Sequence, residues 1–130
     1  MDWKDIHHFK VREFDSPDEP GSGQKMVLSF VAKLDALRSL WGRPMRITSG
    51  YRTKTRNRVV GGTANSAHLR GRAADIHIMP EDQAAFAKIA RQVGMTGIGY
   101  YRSWVHVDDM TRAEGYSRPA EWKQTIKSGE

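Results

Sequence analysis

One stretch in the first third of the chain carries a helical hydrophobic period. Between residues 25 and 41, Val27, Phe30, Val31, Leu34, Leu37 and Trp41 recur at three- and four-residue spacing, which gathers them on one helical face. Gly42 follows as a stop, and Arg43-Pro44 turns the chain into a short strand over residues 45–48. From residue 49 to 72 the period disappears into Gly, Ser, Asn, Thr and Arg, with one short helical turn expected over 54–60. Loops of this kind tend to carry function, because irregular backbone buried elsewhere would leave its polar groups unpaired. The run 73–78 predicts a buried strand, and Pro80 opens a second helix over about 81–93 that Gly94 ends. Strands are expected over 97–101 and 103–108, and a last short helix over 119–127 with Ser117 or Arg118 near its cap. Ahead of the first helix, D-S-P-D-E-P-G-S-G-Q over 15–24 marks a loop, preceded by an arm expected to pack on the domain.

This order of elements predicts an α+β domain with a small, mostly antiparallel sheet flanked by helices. At 130 residues the chain fits a single domain, with an arm and loop over 1–24, a core over about 25–112 and a tail over 113–130. No apolar run approaches the roughly 20 residues of a membrane-spanning helix, and the polar, mixed-charge start is unlike a signal peptide. The absence of cysteine excludes disulfides and thiolate metal sites, so any metal must be held by imidazole and carboxylate. The 21 Lys and Arg against 15 Asp and Glu leave a net charge of +6, which favours anionic partners. That excess is concentrated over residues 43–72, where Arg46, Arg52, Lys54, Arg56, Arg58, Arg70 and Arg72 meet no acidic residue. A nucleic-acid-binding domain would rest on this charge alone, with no motif behind it, and no nucleic-acid partner is expected.

The chemistry-bearing residues lie in the later half. In Ser66-Ala-His68-Leu-Arg-Gly71-Arg-Ala-Ala-Asp75, a loop histidine is followed by a glycine that permits a sharp turn and then by an aspartate on the next strand. In Trp104-Val-His106-Val-Asp108, the period of two puts Trp104, His106 and Asp108 on one strand face and both valines on the other. Catalytic zinc takes three protein ligands from His, Asp or Glu and keeps a position for water, and His68, Asp75 and His106 supply that count. Spacing alone is a weak signal for a metal, because a lone His or Asp is more often a hydrogen-bonded structural residue. His77, two residues after Asp75, is read as a hydrogen-bonding residue outside the site.

The blocks Ser49-Gly-Tyr-Arg52, Val60-Gly-Gly62, Asn65-Ser66-Ala-His68 through Asp75, Gly97-Ile-Gly99-Tyr100 and Val105-His106-Val-Asp108 together resemble the zinc D-Ala-D-Ala carboxypeptidases. Relatives of that family include phage L-alanyl-D-glutamate endopeptidases, murein endopeptidases and the hedgehog signalling domain. The resemblance extends over about residues 9–110, the arm segment Phe9-Lys-Val-Arg-Glu-Phe14 included. It implies the hedgehog/D-Ala-D-Ala peptidase fold, one Zn²⁺ per chain held by His68, Asp75 and His106, and metal-assisted hydrolysis of peptidoglycan stem peptides. Arg52 and Ser66 would bind substrate, with Arg52 also stabilising the oxyanion, as a permanently charged guanidinium can. Tyr100 and Trp104 are further candidates for the substrate cleft. Several relatives carry a catalytic Glu three residues before the last zinc histidine, where this chain has Ser103. Asp108, on the face of His106, is therefore the candidate general base, with Asp109 or a tyrosine as alternatives. The choice between carboxypeptidase and endopeptidase, and between a D-Ala-D-Ala and an L-Ala-D-Glu bond, stays open. A phage or prophage lysin, acting as a monomer and cytoplasmic until released by lysis or a holin, or carried on the virion, fits the short signal-less chain. The alternative is a zinc-binding, cell-wall-binding module of the same fold with weak or no catalysis.

Overall fold

A computed structural model describes residues 1–124. Its elements are α1 (Leu28–Trp41), β1 (Ile47–Ser49), α2 (Lys54–Val59), β2 (Ala73–His77), α3 (Pro80–Gln92), β3 (Gly97–Tyr100), β4 (Trp104–Asp108) and β5 (Ala120–Lys123), joined by several 3-10 turns. The five strands form one sheet in the order β1-β2-β4-β3-β5. Pairing is antiparallel except between β3 and β5, so the α+β sheet is mixed.

The two long helices and one sheet face enclose the core. Phe30, Leu34 and Leu37 of α1 and Phe86 of α3 meet Ile76, Ile98, Val105 and Val107, all buried. Strand alternation turns Val105 and Val107 to this face and Trp104, His106 and Asp108 to the other. The arm closes the core from the side with Ile6, Phe9 and Phe14. Asp35 of α1 holds it by accepting the backbone N–H groups of His7 and His8, each at 2.8 Å. Gly50 lets the arm pass: a Cβ there would lie 2.7 Å from Phe14 Cα. Among the described residues, no helix is long and apolar enough to cross a membrane.

Two sequence expectations are corrected. α1 starts at Leu28 rather than at residue 25, because a 3-10 turn over Ser22–Lys25 directs the chain first. Val27 is exposed ahead of the helix, and its N–H donates to the Gly71 carbonyl at 2.9 Å. The tail forms strand β5 instead of a helix, while residues 125–127 of the expected helix lie outside the described residues. Ala, Glu and Lys favour helix locally, but the free edge of β3 offers partners that a short isolated helix lacks. The N–H of Ala120 donates to Thr96 O and that of Gln124 to Tyr100 O, both at 2.9 Å. Glu121 pairs with Arg91 of α3 at the same edge.

Candidate metal centre

The polar sheet face assembles the site by register. β2 and β4 place Asp75 opposite His106, and β1 places Ser49 opposite Asp75. His68 arrives from outside the sheet, on a 3-10 turn (Ala67–Arg70) whose start is capped by Ser66 Oγ accepting the His68 N–H at 3.2 Å. Gly71 ends that turn at φ 68° and admits close passage of the backbone, since a Cβ would stand 2.4 Å from Lys25 O.

His68 Nε2 and His106 Nδ1 each lie 3.2 Å from Asp75 Oδ1. One ligand atom from each of the three residues falls within 4.8 Å of the other two, the one such group of His, Cys, Asp and Glu among the described residues. Both imidazoles are anchored by their far nitrogens. His68 Nδ1–H donates to the Gly50 carbonyl at 2.7 Å, and His106 Nε2–H donates to Asp108 Oδ2 at 2.7 Å. This leaves His68 Nε2 and His106 Nδ1 turned toward Asp75. Arg52 reaches the other oxygen, its Nη2 lying 3.3 Å from Asp75 Oδ2, and is steadied by Nε on Ser49 Oγ and Nη1 on Asn57 Oδ1.

The charges follow from this packing. Burial opposes ionisation of Asp75, but the two histidines beside it outweigh burial and hold its carboxyl far below the usual carboxylate range. Burial also pushes His68 down and keeps it neutral, with a lone pair on Nε2. His106 differs: burial disfavours its charge, yet hydrogen bonds to Asp108 and Asp75 prevail and raise it from 6.5 to about 9.

A cleft of about 760 Å³ opens over the trio. Arg52, Asn65 and Ser66 lie along it with Tyr101, Trp104 and Trp122. Tyr101 and Trp104 stack with ring centroids 4.6 Å apart, and Trp122 Nε1 donates to Tyr101 Oη at 3.2 Å.

The expected site residues are therefore brought together unequally. His68, Asp75, His106, Arg52, Ser66 and Trp104 share the cleft. Tyr100 does not: Gly99 occupies the site face opposite His106, so Tyr100 points through the sheet, where its hydroxyl donates to Glu121 at 2.7 Å. Asp108 does not offer a free carboxylate. It is fully buried and engaged on both oxygens, by His106 Nε2 and by Arg118, whose Nε and Nη2 donate at 2.9 and 2.8 Å. Asp109 is buried in a separate clamp with Lys33 and Arg72. His77 is exposed at the end of β2. Sequence reasoning missed Arg118 and Trp122, and a trace of them was visible in β3. A Cβ on Gly97 would meet Asp108 Oδ2 at 2.4 Å and Arg118 Nε at 2.5 Å, and one on Gly99 would meet Trp122 Nε1 at 2.5 Å.

This arrangement coincides with a family match. The sequence fits the peptidase M15 model over residues 7–108, which covers most of the arm and all three converging residues. The chain belongs to the peptidase M15 family. Over 67 residues, 51% of the chain, it is 40% identical to a zinc D-Ala-D-Ala carboxypeptidase of Streptomyces albus G. That stretch amounts to 26% of the relative's own length, so the matched half of the M15 chain spans about a quarter of the relative.

Proposed function

We propose that this M15 chain is a zinc-dependent peptidase that hydrolyses peptide bonds in peptidoglycan stem peptides. The observation that carries the reading is the convergence of His68 Nε2, Asp75 Oδ1 and His106 Nδ1 at the floor of an open cleft. The donor set fits zinc: two imidazoles and a carboxylate without thiolates, with each imidazole held by its other nitrogen so that one faces inward. A bound ion would supply Lewis acidity toward water and the substrate carbonyl.

The chain's own groups supply the rest. Arg52 carries a fixed positive charge at the cleft and suits a substrate carboxylate or a developing oxyanion. Ser66, Asn65 and the Tyr101, Trp104 and Trp122 wall would bind the peptide. Because Tyr101 Oη accepts from Trp122, its own proton is available to the cleft, which suits it to protonate an oxyanion or leaving group. Asp108 serves the site through His106 rather than as the general base, since its oxygens are already engaged.

A second reading, a zinc-binding cell-wall module with little catalysis, draws on one observation. Among the described residues, Asp75 and Asp108 are the carboxylates along the cleft, and both are committed to partners. Mass spectrometry of purified sacculi digested by the wild type and His68→Ala separates the two. Zinc-dependent release of stem-peptide fragments, lost in His68→Ala, is expected, and the fragment masses identify the bond cut. Stoichiometric zinc without fragments would favour the module.

A further inference from the structure

We infer that the segment after β4, which lies beyond the family match, is a working part of the metal centre: Arg118 and Asp108 form a buried positioning pair that sets His106 to offer Nδ1 to the ion. The inference rests on the zinc reading above and adds to the trio Asp108, the last residue of the family match, and Arg118, which lies beyond that match.

The geometry is a chain of fixed contacts. Arg118 grips Asp108 with two donors, Nε on Oδ1 at 2.9 Å and Nη2 on Oδ2 at 2.8 Å, in the fork geometry that a lysine cannot reproduce. Met110 N–H adds a third donor to Oδ1 at 3.2 Å. The carboxylate, thus unable to rotate, accepts from His106 Nε2 at 2.7 Å, which fixes both the ring plane and the protonated nitrogen. A ligand histidine whose far N–H is held by a carboxylate binds metal in one orientation and with greater basicity.

Arg118 is itself immobilised from several sides. Its guanidinium lies over the rings of Tyr116 and Trp122, 5.5 and 5.3 Å from their centroids, and Nη1 donates to Ser117 O at 2.9 Å. Tyr116 in turn donates its hydroxyl to Asn65 O at 2.8 Å, three residues before His68. Trp122 packs 5.3 Å from the His106 ring. The segment therefore straps the element bearing His106 to the loop bearing His68. β3 is bare at Gly97 and Gly99 to accommodate the strap, because side chains there would occupy the volume of Asp108, Arg118 and Trp122.

The test is zinc affinity, measured by chelator competition on wild type, Asp108→Asn, Arg118→Gln and Arg118→Lys, with melting of each metal-free protein in parallel. Asp108→Asn and Arg118→Gln should weaken zinc by about 10- to 100-fold, and Arg118→Lys should recover part of the loss. A merely structural role would lower the melting temperature and leave affinity unchanged, which would overturn the inference. Should the variants fail to fold, histidine-ring ¹H–¹⁵N NMR of the zinc-loaded wild type decides. His106 is expected to carry its proton on Nε2 and to coordinate through Nδ1, and the reverse arrangement would overturn the inference. Failure of the wild type itself to bind zinc would instead remove the zinc reading, and this inference with it.

Discussion

In the metal-free protein, His106 must give up a proton before it can donate a lone pair to an ion. Its ring sits between two carboxylates, Nδ1 at 3.2 Å from Asp75 and Nε2 at 2.7 Å from Asp108. Burial disfavours the imidazolium, but those hydrogen bonds and charges prevail and raise it to about 9. At neutral pH the ring is thus cationic, and a proton occupies the nitrogen that the ion needs. His68 contributes no comparable proton, because burial pushes it below its ordinary value. Protons and metal compete, so apparent zinc affinity should rise with pH below about 9, by up to about tenfold or about 1.4 kcal/mol per pH unit. Loading at pH 7 should release about one proton from this residue per ion bound. Chelator competition across pH 6.5–8.5, with a pH indicator in weakly buffered solution, measures both quantities. Affinity that is flat over this range, with release well below one proton, would show His106 to be neutral already and refute the electrostatic reasoning.

The same histidine predicts how the metal-free fold responds to alkali. With a folded value of about 9 against an ordinary 6.5, its contribution of about 3 kcal/mol is full below pH 6.5 and is lost as pH rises through 9, so urea midpoints should fall between pH 6 and 9.5. Asp75 and Asp108 act in the opposite sense: their contribution is full above about pH 4 and is lost as pH falls through their depressed values, which acid unfolding would register. Phe86→Ala, at a fully buried contact with Trp41, should cost about 3–5 kcal/mol by urea denaturation, and a loss under 1 kcal/mol would contradict the packing. Tyr101→Phe should slow fragment release from sacculi, whereas Tyr100→Phe, changed on the opposite sheet face, should leave it at the wild-type rate.

Much of the frame was legible because it depends on local periods. The three- and four-residue spacing of Phe30, Leu34 and Leu37 specifies a helix face whatever that face meets, and α1 buries those residues. The alternation in Trp104-Val-His106-Val-Asp108 likewise separates a polar face from a core face, since a strand turns each side chain by half a revolution. What alternation cannot express is partnership. It put Asp108 beside His106, but not the guanidinium of Arg118, ten residues on, which turns a candidate base into a committed acceptor. Nor could local propensity show that a helix-favouring tail would become β5, because the decisive partner is the edge of β3 more than twenty residues earlier. Short stretches were enough to name residues able to ligate a metal and to put His106 on the polar face of its strand, for residue type and alternation are local properties. Only the tertiary structure decided that His68 Nε2, Asp75 Oδ1 and His106 Nδ1 meet, and that Asp108 lies behind them, because distances between segments are set by sheet register and by a strap that closes late in the chain.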